Sequence, residues 1–363
     1  MTKPPFRADH VGSLLRPPEL RAARERAQRG ELAAAALAEI EDACIRAAIA
    51  RQEAIGLEAV TDGEYRRDWW HLDFLTGFDG IGLRQLNVLK FQGVDEIPPA
   101  AVVIGPVRST RPNMVGHFAF LQAATKKTAK FTIPSPAMAH MRGGTNAMPK
   151  DVYPDPAAFW SDLGAAYRGA IADLAAAGCT YLQIDDVTFS YLADEKFQAL
   201  CRSNGDDPAR LHRTYADAID LALRDRPAGM TVTLHTCRGN FQSTWAAATP
   251  YAAAVTQSMF STAADAYFME FDSARAGTFD ILRLLPADKK VVLGLVTTKV
   301  GGLESKDELK RRIDEAARVV PLERLCLSPQ CGFSSTHHGN KLSHDEQWRK
   351  LERVVEVARE VWG

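Results

Sequence analysis

An α/β fold, and within that class a (β/α)8 TIM barrel, is what this 363-residue sequence predicts, on three observations. Short runs of β-branched and aromatic residues recur along the chain and end in polar residues. Each is followed by an Ala- and Leu-rich stretch with helical periodicity. Eight such runs can be counted before the carboxyl terminus. Strand and helix signals that alternate in this way give βα units and a parallel sheet. Eight of them over this length close as a barrel, whose catalytic groups stand at the carboxyl ends of the strands.

The expected strands are 8–13 (ADHVGS), 57–63, 129–135 (AKFTIPS), 181–186 (YLQIDD), 230–237 (MTVTLHTC), 266–272 (AYFMEFD), 290–296 (KVVLGLV) and 325–331 (LCLSPQC). Helices fit 31–55, 156–178, 206–226, 243–256, 275–285, 305–318 and 344–361. The rhythm breaks between Phe78 and Lys127, where the residues alternate as in a β-hairpin insertion rather than a crossover helix. That segment, about 78–127, is expected as an excursion beside the barrel mouth. No repeat or low-complexity linker marks a second unit, so residues 1–363 are expected to form one domain.

The composition, 46% hydrophobic and 25% charged, is that of a globular chain able to bury a large core. With 44 basic and 45 acidic side chains and no basic run, the chain lacks the electrostatic footprint of a nucleic-acid binder. A small-molecule partner is expected, and a homo-oligomeric assembly is compatible with it. No signal-type segment opens the sequence and no run of about 18 apolar residues occurs, so a cytoplasmic, non-membrane protein is expected. The six scattered cysteines do not make a disulfide framework, so reduced thiols, some of them ligands, are expected.

In MTVTLHTC, strand alternation puts Thr231, Thr233, His235 and Cys237 on one face and Val232 and Leu234 on the other. Imidazole and thiolate two residues apart converge on one side and suit zinc, a borderline ion. A hydrogen-bonded core histidine beside an inert cysteine is the alternative. Glu270 in FMEFD and Cys331 in SPQCGF stand where other apolar runs give way to loops, and in a barrel such ends meet. A buried glutamate is costly unless paired or coordinated. Glu270 has Arg275 and Lys299 as alternative partners, and Cys331 can be a structural thiol.

The order H-x-C, then E, then C on the fifth, sixth and eighth strands resembles the catalytic domain of cobalamin-independent methionine synthase. HVGSLLRP resembles that family's first-strand I-G-S segment, DGEYRRDWW its H-G-E segment and QIDDV its Q-I-D-E-P segment. The resemblance runs from about residue 8 to 335, and the shorter single-domain methionine-synthase-like proteins are the closest in appearance. Epoxyalkane:coenzyme M transferase is a relative with the same H-x-C…C pattern. The resemblance implies that His235, Cys237, Glu270 and Cys331 hold Zn2+, with Glu270 the ligand loosened when a substrate sulfur arrives. Glu64 and Asp185 would receive the amino group of an amino-acid thiol, and Gly12 with Ser13 its carboxylate. Salt bridging of Glu64 to Arg66 or Arg67 and helix capping by Asp185 are the plain readings. Alternation favours Asp185 over Asp186 as the residue facing the site.

His10 can be a polar contact or proton carrier at the site, or a satisfied core histidine. Trp69, Trp70, His71 and Phe74 can wall a pocket for a planar pterin, or be core. His337 and His338, in the loop after Cys331, are candidate substrate contacts. The family's D-x-H segment is replaced by GLVTTKVGGLES, where Lys299 can bind an anionic group. Where folate-using members carry a Trp, the chain has IPSPAMAHMRGGT with His140 and Arg142. The implied reaction is zinc-dependent methyl transfer from methyl-tetrahydrofolate to homocysteine, forming methionine. A coenzyme M or other thiol alkyltransferase using an epoxide or another alkyl donor is the rival enzyme. A structural zinc or thiol-binding protein is the non-enzymatic alternative.

Overall fold

The computed structural model describes residues 3–86, 91 and 96–363. Two helices come first. α1 (Pro18–Gln28) starts on a proline, whose missing N–H costs nothing in a first turn. α2 (Ala34–Ile55) ends at Gly56 in the left-handed conformation. β1 (Ala59–Val60) and the short α3 (Leu72–Leu75) precede an antiparallel pair, β2 (Asp79–Arg84) with β3 (Ala100–Arg108). α4 (Val115–Ala124) then leads into β4 (Thr128–Pro134).

From there strand and helix alternate: α5 (Pro156–Ala176), β5 (Tyr181–Asp186), α6 (Thr188–Tyr191), α7 (Glu195–Ser203), α8 (Pro208–Leu223) and β6 (Thr231–Thr236). α9 (Ala253–Phe260), β7 (Ala266–Glu270), β8 (Lys290–Val296), α10 (Lys306–Ala317), β9 (Leu325–Pro329) and α11 (His344–Trp362) complete the chain.

Seven strands form one curled parallel sheet in the order β1-β4-β5-β6-β7-β8-β9, the TIM-barrel-like architecture. The gap between β9 and β1 is occupied by the first segment. Ala8 bridges Leu327 in parallel, the Asp9 N–H donates to the Leu327 carbonyl at 3.0 Å, and the Leu14 N–H donates to the Gly63 carbonyl at 3.0 Å.

The expected strand 8–13 is therefore in place but is not a regular strand, for a traceable reason. Its backbone groups are taken by side chains: the His10 N–H donates to Asp9 Oδ1 at 2.8 Å, and the carbonyls of Val11 and Gly12 accept from Gln183 and Thr61 at 2.7 and 2.6 Å. Lys130 Nζ donates to the His10 carbonyl and, at 3.0 Å, to Asp9 Oδ1, with both side chains fully buried. Inside the barrel Val11, Phe268, Val292 and Cys326 pack together, and Lys130 Nζ lies 4.1 Å above the Phe268 ring.

Other expectations need correction. The segment 78–127 does contain a hairpin, but a helix, α4, follows it and leads into β4; residues 87–90 and 92–95 of that segment lie outside the described residues. The expected helix 243–256 appears as α9, beginning only at Ala253, because Gln242 and Ser243 take positive φ values of 47° and 69° in a loop. The expected helix 275–285 is two short 3-10 turns, Ala274–Ala276 and Phe279–Leu284. Helices α1 and α7 were not anticipated. No helix among the described residues is long and apolar enough to cross a membrane.

Candidate metal centre and cavity

The parallel register sets His235 beside Asp185 on one side and Phe268 on the other, and carries the chain on to Cys237 at the end of β6. Glu270 is the last residue of β7, and Cys331 follows β9 by two residues. One ligand atom from each of His235, Cys237, Glu270 and Cys331 lies within 4.8 Å of all the others, and all four residues are buried. The two sulfurs are 3.4 Å apart and both cysteines are free.

Two of the alternatives for Glu270 are not realised. Arg275 Nη2 is 3.6 Å from Asp272, and Lys299 Nζ donates to Asn240 Oδ1 at 3.3 Å and the Thr244 carbonyl at 3.2 Å. Glu270 Oε1 accepts the Arg238 N–H at 2.9 Å, which orients the carboxylate and leaves Oε2 without a partner. Both ring nitrogens of His235 are also buried and unpartnered. Buried polar atoms are normally satisfied, so three orphaned atoms converging with two thiols make a donor set able to hold a cation. The set fits zinc: tetrahedral bonds of about 2.0–2.3 Å space donors roughly 3.3–3.8 Å apart, which small side-chain adjustments reach from a cluster held within 4.8 Å.

Electrostatics within the cluster point the same way. Hydrogen bonding from Cys237 pulls the Cys331 thiol well below its usual range, against burial, and His235 adds to the effect. The same contact, reinforced by burial, pushes Cys237 up. Burial alone pulls the His235 imidazole down, but the sulfur of Cys331 and the carboxylates of Asp185 and Glu270 outweigh it and leave a pKa of about 8. Burial raises Glu270. Cys331 is thus favoured as a thiolate beside a His235 held toward its protonated form, and the Lys299 charge acts on Glu270 as well.

Of the four, His235, Cys237 and Cys331 line a cavity whose wall also includes Ser13, Glu64, Trp70, Asp185, Tyr191 and Asn240. Glu64 sits at φ 59°, a conformation rare outside glycine, with its N–H held by Asp62 Oδ1 at 2.9 Å and its carbonyl by Arg16 at 2.9 Å. Its Oε1 accepts from Thr132 at 3.1 Å, while Oε2 has no hydrogen-bond partner and lies 3.9 Å from Arg67. Arg66 turns away to Asp42 at 2.6 Å. Burial raises Glu64 above the usual carboxylate range.

Asp185 Oδ1 accepts from Gln183 at 2.7 Å, and burial, opposed by His235 and reinforced by Glu64, lifts it to about 7. The capping role considered for Asp185 belongs to Asp186, whose Oδ1 accepts the Thr188 and Phe189 N–H groups at 2.6 and 3.1 Å.

Trp69, Trp70 and His71 line the cavity, whereas Phe74 turns into the core against Phe78 and Tyr167. Gly12 backs the cavity without lining it. At φ +142°, a Cβ there would meet Thr132 Cγ2 at 2.8 Å and Glu64 Oε1 at 3.3 Å.

Five further candidates, His10, His140, His337, His338 and Lys299, do not line the cavity. His10 is fully buried under Lys130, and burial followed by the Lys130 charge lowers it to about 4. His140 bonds Tyr215 at 3.0 Å, and His338 Nε2 pairs with Glu96 at 3.0 Å while its Nδ1 bonds Thr336. Lys299 Nζ donates to Asn240 Oδ1 and the Thr244 carbonyl, and its charge acts on Glu270 and Cys331.

Residues that sequence reasoning missed include Tyr191, Asn240 and Arg16. Arg16 donates to the carbonyls of Glu64, Arg67, Ser334 and Thr336, tying the Glu64 turn to the loop after Cys331. Its position in HVGSLLRP was the available signal.

The catalytic domain of the cobalamin-independent synthases matches residues 6–360. The chain belongs to that family. Among relatives of this synthase-family chain, the uncharacterized protein YxjH of Bacillus subtilis is 43% identical, over 99% of this chain and 96% of its own. The 5-methyltetrahydropteroyltriglutamate–homocysteine methyltransferase of Nitratidesulfovibrio vulgaris is 24% identical over 92% of this chain, which spans only 39% of that protein. A candidate vitamin-B12 independent methionine synthase from Listeria monocytogenes, solved as a crystal structure, superimposes with a TM-score of 0.77. It is 36% identical and covers 99% of this chain and 98% of its own.

Proposed function

We propose that this synthase-family chain is a zinc-dependent thiol methyltransferase that moves the methyl group of methyl-tetrahydrofolate to homocysteine and releases methionine. The observation that carries this reading is the convergence of His235, Cys237, Glu270 and Cys331 within 4.8 Å, with orphaned His and Glu atoms, at a cavity that also holds two carboxylates. Membership of the family and the activity named for the Nitratidesulfovibrio vulgaris relative support the same reading. Zinc bound by these residues would lower the pKa of an incoming thiol and leave its sulfur nucleophilic.

The rest of the task falls to the chain itself. Glu64 Oε2, which has no hydrogen bond though Arg67 stands 3.9 Å away, and the carboxyl group of Asp185 face a substrate ammonium in a water-poor site, where such attraction is strong. Ser13 and the backbone beside it are the partners we assign to the substrate carboxylate. Arg16 and Thr132 fix Glu64 so that the amino-acid thiol is oriented rather than merely attracted. The Lys299 charge opposes the burial that raises Glu270 and so favours its carboxylate form. The ligands come from three strand ends beside an accessible cavity, and one is a carboxylate, which suits a site that admits substrate better than a closed structural site.

The test is a panel with purified, zinc-loaded protein. Homocysteine, coenzyme M and cysteine are each offered 5-methyltetrahydrofolate or an epoxide, and consumption is scored. Homocysteine with the folate should react, and Cys237→Ser should abolish it. Turnover of coenzyme M with an epoxide instead would transfer the assignment to that activity, and turnover indifferent to Cys237→Ser would remove the metal from the mechanism.

A further inference from the structure

One cation of the cavity wall has no role in the reading above. Arg142 follows β4 on a loop whose path is fixed by Asn204, which donates to the Arg142 carbonyl at 3.1 Å. The side chain is 6% exposed and lines the cavity. Its Nη1 donates to the carbonyls of Pro98 at 3.1 Å and Pro99 at 2.6 Å, and its Nε is buried without a partner. Among the described residues no carboxylate pairs with it. Burial lowers its pKa to about 10, with only the Tyr191 phenol opposing.

Across the same wall His71 is 2% exposed, and neither ring nitrogen has a hydrogen-bond partner. Burial and the Arg142 charge hold it well below the usual imidazole range, so it is neutral and offers one N–H. Its ring is fixed against Trp70 at 4.6 Å. The neighbouring wall is apolar, with Pro98, Met138 and Met141.

A buried guanidinium that has lost its water and found only two carbonyls is expensive unless an anion completes it. Its planar fork is shaped for an oxyanion with two coplanar acceptors. We infer that Arg142 and His71 form a subsite for an organic oxyanion, a carboxylate or sulfonate, carried by the alkyl donor. Arg142 supplies charge and parallel N–H groups, His71 a further N–H, and Met138, Met141 and Trp70 cover the apolar part of the molecule that bears the anion.

The attribution to the donor rests on the functional reading above, in which the thiol substrate occupies Glu64, Asp185 and Ser13. The subsite itself does not. The other source of the same chemistry is the carboxylate of the amino-acid thiol.

Trifluoroacetate, observed by fluorine NMR with the full-length protein, is a probe that needs no turnover. Wild-type protein should broaden its line saturably. Arg142→Met should weaken that binding by about tenfold or more, as loss of one partner of a desolvated charge pair does, and Arg142→Lys should restore part of it. His71→Phe leaves Arg142 and its carbonyl bonds in place and should weaken binding less; it carries the test if thermal melts show that Arg142→Met is misfolded. Unchanged broadening in the folded variants overturns the subsite.

With the probe bound, 5-methyltetrahydrofolate should displace it and homocysteine should not. Displacement by homocysteine alone overturns the assignment to the donor. Displacement by neither, with Arg142 still required for the probe, upholds the oxyanion subsite while counting against the folate reading.

Discussion

Replacing Lys130 by Met should destabilise the barrel through the segment that the sheet itself holds least. Lys130 Nζ lies 3.0 Å from Asp9 Oδ1 with both side chains at 0% exposure. In the variant Asp9 keeps the Tyr181 hydroxyl at 2.8 Å and the His10 N–H at 2.8 Å but has no counter-charge. Breaking a buried pair from one side costs about 3–5 kcal/mol. With an unfolding entropy of about 2.1 cal/mol/K per residue, 363 residues lose roughly 0.8 kcal/mol per degree, so the melting temperature should fall by about 5 °C. Differential scanning calorimetry at neutral pH reads this directly. The double variant Asp9→Asn/Lys130→Met should recover much of the loss, because the stranded charge is gone. A Lys130→Met melting point within about one degree of wild type, or a double variant worse than the sum of its parts, would refute the reasoning.

Asp185→Asn should raise the KM for homocysteine by about 10–100-fold, the value of a hydrogen bond to a charged group, while 4-mercaptobutyrate, which lacks the ammonium, should be nearly indifferent in the same kinetic assay. His10 has a folded pKa of about 4 against an ordinary 6.5, so the unfolded chain takes up a proton that the folded chain refuses. Its contribution is intact above pH 6.5, shrinks as pH falls and is fully lost below about 4, up to about 3 kcal/mol, and His10→Gln should flatten that limb of a urea-denaturation series against pH. Gly12→Ala, strained at φ +142° and driving a Cβ to 2.8 Å from Thr132, should cost about 1–3 kcal/mol in stability and raise KM by displacing Glu64, read from melts and kinetics on one preparation.

Strands β4 to β9 were legible because each is a short run rich in β-branched, aromatic or aliphatic residues and is buried along nearly its whole length. The convergence of the candidate ligands was legible for a related reason. His235, Glu270 and Cys331 each stand where such a run stops, and a barrel brings those stops together.

What the pattern concealed is what tertiary context decides. Helix α1, PELRAARERAQ, buries only Leu20 and Ala23, too thin an apolar stripe to announce itself. The segment around Gln242 and Ser243 has helix-compatible composition but loops through positive φ where Phe241 packs against Trp69. Arg142 and His71 were visible as residue types, yet that both face the cavity, and that neither has a charged partner among the described residues, depends on loop paths that no periodicity encodes. His10 shows the converse: plausible at the site by position, it is buried under Lys130 and does not line the cavity.

The central claim is that His235, Cys237, Glu270 and Cys331 close on one zinc ion. X-ray absorption at the zinc edge of the purified protein, combined with elemental analysis, addresses it without reference to turnover. The account predicts one zinc per chain, with two sulfur neighbours at about 2.3 Å and nitrogen or oxygen neighbours at about 2.0–2.2 Å, and one sulfur fewer in Cys237→Ser. Protein without stoichiometric metal, or a zinc shell containing no sulfur, would contradict it.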